Sequence, residues 1–405
     1  MSGFLDGCNI ACVGAGPASL YFALLAKQTA DCRVTVFERN ARGAAPGWGV
    51  ILHLDAMAES DPLTAQALRE QAFAWQDTTV HIAGTPAVVV PTPGTSIGRG
   101  ALTDTLLRRV EALGCTVRFG TEIADRWQLA GYDLVVAADG VRSRLRDAQR
   151  SAFGTTSSMG SNRFTWLGTS RVFDSFTFAF VKTRAGWLWA HAYGFNGSTS
   201  TFIVETSADT FRELGFEHMT AERTLRQLES SFEPWLEGHP LWSQPGTRDT
   251  SIWQRFQTVT NPIWHDGQVA LMGDAAHTTH FTIGSGTQLA FADAMSLAAQ
   301  LRSHRELKSA LSAYQTERLA GLRTLQLEAG NSATWFEHLA RYIDRDAAAF
   351  TELLYARRSS LLQRVPPALY LWACHVSQRH PRLLGERLRL VPRLLARTRA
   401  ARDAQ

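Results

Sequence analysis

The chain has 405 residues, with 41 basic and 37 acidic side chains, a formal net charge of +4, 45% hydrophobic residues and five cysteines. At roughly 150 residues per domain this allows two or three packed units, and such hydrophobicity excludes a disordered or collagen-like chain. Apolar runs such as 20–26 fall short of the roughly 20 residues that span a bilayer and no charged-then-apolar leader precedes them, so a soluble, unexported, cytoplasmic protein is expected.

In chain order, residues 9–13 read as a short buried strand, 17–27 as an apolar helix and 33–38 as a second strand, with Gly14-Ala15-Gly16-Pro17-Ala18-Ser19 between the first two. A dinucleotide belongs in such a β-α-β opening. Gly14 permits the tight turn, Gly16 lets a pyrophosphate approach the backbone, and the helix N-terminus offers unpaired N–H groups. Glu38 ends the second strand, where it can accept from a ribose hydroxyl; Ser19 replaces the third glycine of the fingerprint, small for small.

Leu102, Leu106, Val110 and Leu113 mark a helix by their spacing, and 116–119 and 133–138 read as further strands. The expected class is therefore α/β, a Rossmann-like unit with a parallel sheet layered by helices. From about Asn162 the texture changes to Phe, Trp, Thr and Val alternating with polar residues through 164–205, which predicts an inserted antiparallel sheet. Residues 269–272 return to an apolar strand, and from Gly286 Ala and Leu recur at helical spacing. The expected division is a dinucleotide unit from 1–75, 97–160 and 262–330, a β-rich substrate domain from 76–96 and 161–261, and C-terminal helices from 331–405. Cys8, Cys12, Cys32, Cys115 and Cys374 contain no C-x-x-C pair, which fits a reducing compartment with neither a disulfide framework nor a metal site.

Two further elements carry chemistry: Asp139-Gly140-Val141-Arg142-Ser143-Arg144-Leu145-Arg146 directly after the 133–138 strand, and Gly273-Asp274-Ala275-Ala276-His277 running on to Gly284-Ser285-Gly286-Thr287 and Asp293. With the glycine turn, in this order, the chain resembles the class A flavoprotein aromatic monooxygenases, the family of para-hydroxybenzoate hydroxylase, over about residues 9–327. The resemblance implies that Gly14, Ala15, Gly16, Pro17 and Ala18 cradle the FAD pyrophosphate, that Glu38 holds the adenosine ribose with Arg39 beside it, and that Ile123 lies near the adenine. It further implies that Arg99 contacts FAD, that Asp139 serves both FAD and the nicotinamide cofactor, and that Asp274 accepts from ribityl or ribose hydroxyls. Backbone N–H groups at Gly284, Ser285, Gly286 and Thr287 suit the flavin pyrimidine edge, because a helix N-terminus stabilises negative charge there.

A nearer resemblance is to the subgroup of salicylyl-CoA 5-hydroxylase, anthraniloyl-CoA monooxygenase and the violacein-pathway tryptophan hydroxylase. It rests on Gly47-Trp48-Gly49-Val50, Trp166-Leu167-Gly168-Thr169-Ser170, Ala190-His191-Ala192-Tyr193, His280-Phe281 and Trp335-Phe336-Glu337. The implied activity is hydroxylation or epoxidation of an electron-rich aromatic ring: NADH or NADPH reduces FAD transiently, and O2 is trapped as a flavin hydroperoxide. Phe281 stands where most of the family has proline, and an aromatic wall there favours a flat substrate. His280 is the first candidate base and His53 a weaker one; Trp48, His191, Tyr193 and Phe281 are candidate pocket residues, and His277 is assigned a structural role. Trp187, Trp189 and Tyr193 fit a sheet core as well as a substrate wall.

Gly186-Trp187-Leu188-Trp189 also resembles the start of the flavin-dependent halogenase motif, but His191-Ala192 breaks it and no lysine occurs between Lys27 and Lys182. A non-hydroxylating FAD-binding protein is the third reading. Residues 376–405 hold eight arginines against Glu386 and Asp403, interleaved with leucines. A solvated helix pair is the simpler account of that tail; an acidic carrier protein, a CoA phosphate or an anionic membrane surface is the alternative partner. The nearly neutral remainder argues against nucleic acid, and a monomer or homodimer is expected.

Overall fold

The computed structural model describes residues 3–44, 47–244 and 252–379, so the arginines from Arg382 onward lie outside the described residues. The strands, in chain order, are β1 (Asn9–Val13), β2 (Arg33–Phe37), β3 (Gly49–Ile51), β4 (Phe73–Ile82), β5 (Val88–Gly98), β6 (Thr116–Arg118), β7 (Leu134–Ala137) and β8 (Thr156–Met159). They continue with β9 (Arg163–Thr169), β10 (Phe176–Thr183), β11 (Gly186–Asn196), β12 (Thr199–Thr206), β13 (Leu241–Trp242), β14 (Gln257–Thr260), β15 (His265–Asp266) and β16 (Val269–Leu271).

The first sheet has the order β15-β16-β7-β1-β2-β6 and is parallel except at its β15 edge. Its central strands β7 and β16 are buried along their whole length. That is what continuous apolar runs produce when helices cover both faces. The Pro17–Thr29 and Gly286–Ser303 helices pack together there, with Tyr21 edge-on to Phe291 at 5.2 Å between ring centroids.

The second sheet has the order β13-β9-β12-β11-β10-β4-β5-β3. Its neighbours are antiparallel except β10 and β4, which run parallel. That junction joins segments from distant parts of the chain, where no hairpin dictates direction. β8 and β14 form a separate two-stranded pair. Both faces of β11 are buried, so its alternation separates two cores rather than core from solvent. Leu188, Ala190 and Ala192 join Phe202, Phe211 and Phe232 on one side. On the other, Trp189 joins Phe178 and Phe180 against Trp335, Phe336 and Phe350 of the C-terminal helices.

The fully buried Asp293 carboxylate ties the first sheet to its helices. It accepts from Gly273 N at 3.0 Å and His277 Nε2 at 2.9 Å through one oxygen, and from Arg318 Nε at 2.8 Å through the other. Burial alone would raise its pKa, but His277 and Arg318 hold it below the ordinary carboxylate range. Its ionic contribution is thus complete above the unfolded value of about 3.9 and is lost only as pH falls through the lower folded value. Asp293→Ala, which strands Arg318 and His277, is expected to cost about 3–5 kcal/mol in guanidinium unfolding and to remove that acid-side loss from the stability–pH curve.

Candidate active site

A cavity of ≈1340 Å³ runs along the seam of the two sheets, from the glycine turn after β1 to the aromatic face of β10 and β11. At one end lie Gly14, Ala15, Gly16, Glu38, Arg39 and Ile123. Gly14 has φ +96, and a Cβ there would lie 2.5 Å from the Ala138 carbonyl oxygen, so only glycine lets the turn close against β7. A Cβ on Gly16 would instead meet nothing within 4 Å. The Pro17–Thr29 helix starts at Gly16 with no side-chain cap, so its first N–H groups are left for a ligand. Glu38 Oε2 accepts from Ala15 N at 2.9 Å and Oε1 from Asn40 N at 2.8 Å; the carboxylate therefore also braces the turn it faces.

In the middle of the cavity are Arg99, Asp139 and Asp274. Asp139 accepts from Arg144 N at 2.8 Å, while its Oδ1 is buried without a partner. Burial raises its pKa, against the opposing bonds from Ser143 and Arg144. Burial likewise raises Asp274, opposed by His277 and Arg99, and lowers Arg99, opposed by Asp274. Further along, the Gly286–Ser303 helix begins without a side-chain cap on Ser285, and Gly284, Ser285, Gly286 and Thr287 line the cavity. Two uncapped helix N-termini therefore open on one space.

The far end is an aromatic chamber. Phe176 stacks on Tyr193 at 5.4 Å, Phe178 meets the His191 ring edge-on at 5.0 Å, and His191 meets Phe281 at 5.8 Å. His191, Tyr193, Phe281 and His53 line the cavity as the sequence predicts; His280 and Trp48 do not. His280 is sandwiched between Phe256 and Phe281 and bonded through Nδ1 to Thr282 Oγ1 at 3.0 Å, so the expectation that it faces the reactants gives way to a packing position. Trp48 packs against Gly168 and Trp242 and donates to the Trp166 carbonyl. The odd-numbered face of β11 does both tasks the sequence left open: Trp189 is core, and Tyr193 is cavity wall.

Behind His191 lies the buried carboxylate of Glu205, 3.6 Å from His191 Nε2 and accepting from Trp189 Nε1 at 3.0 Å and Asn162 Nδ2 at 2.8 Å. Burial alone would raise Glu205; the neighbouring His191 and the nearby charge of His280 hold it below its ordinary range. Burial lowers His191, against the pull of Glu205. Sequence reasoning missed Glu205 as a site residue, since a lone Glu on a strand carries no motif. It also missed Tyr355, Arg357 and Arg358, which line the cavity from the end of the Ala347–Tyr355 helix and the turn after it. No lysine lines the cavity among the described residues, and Lys182 lies instead over the Trp187 ring, so the group the halogenase reading needs is elsewhere.

Residues 131–326 match the FAD binding domain family. The chain is 37% identical over 83% of its length to a salicyloyl-CoA 5-hydroxylase of a Streptomyces species, of which it spans 66%. It is 34% identical to 3-hydroxy-4-methyl-anthranilyl-[aryl-carrier protein] 5-monooxygenase of Streptosporangium sibiricum, over 80% of this chain and 88% of that one. With protodeoxyviolaceinate monooxygenase of Chromobacterium violaceum it shares 30% identity over 87% of this chain and 95% of the other. Among solved structures, 2-methyl-3-hydroxypyridine-5-carboxylic acid oxygenase superposes with a TM-score of 0.67 at 18% identity, covering 90% of this chain and 96% of that one, a likeness of fold.

The two glycines of the turn separate folding from binding. Gly14→Ala is expected to lower the thermal midpoint, because a side chain at φ +96, pressed against the Ala138 carbonyl oxygen, costs of order 1–3 kcal/mol in backbone strain. Gly16→Val is expected to leave the midpoint of the apoprotein unchanged while the purified protein loses its flavin absorbance, a fall in affinity of roughly tenfold or more.

Proposed function

The chain belongs to the FAD-dependent aromatic monooxygenases, in the subgroup of salicyloyl-CoA 5-hydroxylase, and on that premise we propose that it transfers one oxygen atom from O2 to an electron-rich aromatic ring, with NADH or NADPH as the reductant. The observation that carries this reading is one continuous cavity, with an uncapped helix N-terminus at the dinucleotide end, a second further along and an aromatic chamber at the far end. Five free, buried cysteines support a reducing, cytoplasmic setting. No described helix is long and apolar enough to cross a membrane.

The donor set fits FAD. Gly16 leaves space that any side chain would fill, and Asp139 keeps a buried Oδ1 without a protein partner. Gly14 to Ala18 would hold the pyrophosphate, Glu38 the adenosine ribose with Arg39 beside it, and Ile123 would flank the adenine. Arg99, Asp139 and Asp274 would serve the central part, and the N–H groups from Gly284 to Thr287 would take the pyrimidine edge. When bound, FAD supplies hydride acceptance and oxygen activation. The protein's part is to place the ring, exclude water and move a proton.

His191 is the base the chamber offers. Burial, its largest influence, and the nearby Arg357 keep it neutral, with Glu205 opposing. A proton on Nε2 points toward Glu205, which leaves Nδ1 to accept the proton of a ring hydroxyl or amine. Ionised Glu205 then stabilises the imidazolium, and the 3.6 Å separation shortens to a hydrogen bond as the charge forms. His53 lines the same cavity with its pKa also lowered by burial.

The test is NAD(P)H consumption by the yellow protein, with peroxide measured in parallel, across phenols, anilines, indoles, quinolones and aryl-CoA thioesters. Thioesters belong in the panel because two relatives are named for CoA- and carrier-linked substrates. Stimulated oxidation with little peroxide and a product heavier by one oxygen is expected; a flat response with FAD bound overturns the reading in favour of a non-hydroxylating flavoprotein. With a productive substrate, His191→Asn is expected to lower kcat/KM by roughly 10²- to 10⁴-fold with FAD retained. Because His191 titrates below the ordinary histidine range near 6.5, the acid limb of wild-type kcat/KM falls below that pH and disappears in the variant.

A further inference from the structure

Beyond helping to keep His191 neutral, Arg357 has no part in the duties assigned above, yet its guanidinium reaches the aromatic chamber from the turn after the Ala347–Tyr355 helix. Its carbon lies 5.8 Å from the centroid of Phe178, the ring that also meets His191 edge-on. One terminal nitrogen donates to the Leu354 carbonyl at 2.8 Å and the other to the Thr282 carbonyl at 3.0 Å, while Nε is buried with no partner. Its charged neighbour is a second cation, Arg358, whose own acid Glu328 is 3.7 Å away. Among the described residues no carboxylate pairs with Arg357. Burial and Arg358 together push it down to about 9. An uncompensated guanidinium whose Nε is shut away from water without a partner is costly to keep, and its fixed fork matches an oxyanion.

We propose that Arg357 anchors the substrate through an oxyanion carried directly on its aromatic framework, a carboxylate or a phenolate. This rests on the monooxygenase reading of the same chamber and adds the charge that the ring must bear. The position of the cation restricts the anion. A guanidinium lying over Phe178, beside the wall that holds His191, reaches a group within about one ring's width of the bound aromatic. The carbonyl bonds to Leu354 and Thr282 fix the fork, so binding an anion needs no reordering of the side chain. Tyr355, whose hydroxyl pairs with Thr92 Oγ1 at 2.9 Å, lines the chamber two residues earlier and supplies a neutral polar neighbour.

The test uses holoenzyme and calorimetric titration with matched probes: benzoate against benzamide for the carboxylate, and 4-nitrophenolate against nitrobenzene for the phenolate. Wild type is expected to prefer the anionic member of at least one pair by tenfold or more, and the pair that shows this names the source. Arg357→Gln is expected to bring that ratio to about one with the neutral member's affinity unchanged, and Arg357→Lys to restore part of it. FAD content stays at the wild-type value in both variants. Equal weakening of anionic and neutral probes, loss of FAD with the preference intact, or a wild type that prefers no anion or binds none of the probes overturns the proposal. Because binding is read without turnover, an anion preference that vanishes in Arg357→Gln stands even if the panel of phenols, anilines, indoles, quinolones and thioesters gives no stimulated NAD(P)H oxidation, in which case the monooxygenase reading fails alone.

Discussion

One buried carboxylate sets the geometry on which the cofactor end depends. Asp293 sits on the Gly286–Ser303 helix and takes donors from the turn after β16 and from the Leu307–Glu337 helix. The turn it grips begins with Gly273 and carries Asp274 into the cavity; the helix that carries it begins at the second uncapped N-terminus. Asp274 and the Gly284–Thr287 amides are therefore positioned from the same fixed point. A hydrophobic core alone tolerates small slides between helix and strand, whereas a charge with three directional donors leaves little freedom. His277 is stacked on Trp264 at 5.0 Å, which extends that constraint into the core under β16.

The cofactor end was legible in the sequence because its chemistry is local. Tight turns, helix starts and apolar strands are settled within a few residues, so Gly14, Gly16, Asp139, Asp274 and Gly284 to Thr287 each sit in the cavity wall. The β-α-β opening and the alternating 164–205 block likewise fold as their periodicities dictate. The chamber was only half legible. Tyr193 and Phe281 lie on its walls, but His280 is drawn between Phe256 and Phe281, a contact between segments with no shared pattern. Glu205 meets His191 only through the register of β11 and β12, which pairs Trp189 with Glu205 and His191 with Ile203. Arg357 is invisible for the same reason at longer range: an arginine in a helical tail reads as solvated until the fold wraps it inward.

Buried charge is distributed along the cavity rather than concentrated. Arg99 faces Asp274 in the middle, Glu205 stands behind His191, and Arg357 reaches in from the side. The acids near the middle are raised by burial, while Glu205 and Asp293, each with histidine beside it, are lowered. The same low dielectric that penalises an isolated carboxylate strengthens its interaction with a nearby donor, so the two pairs of acids shift in opposite directions, Asp139 and Asp274 opening on the cavity while Glu205 and Asp293 are fully buried.

The chamber is assembled from parts of the chain that are independent in covalent terms. Its sheet wall comes from β10 and β11, its ceiling from the 281–283 turn, and its side wall from Tyr355 to Arg358, outside the 131–326 segment that matches the FAD binding domain. Those last residues touch the ceiling through carbonyl bonds, Arg357 to Thr282 and Arg358 to Ile283, but contribute nothing to the parallel sheet. Substitutions there can change which molecule is admitted while the redox machinery keeps its shape. A lineage carrying this architecture can therefore diversify its chemistry of recognition by drift in a short carboxyl-terminal stretch, with the oxidising apparatus inherited intact.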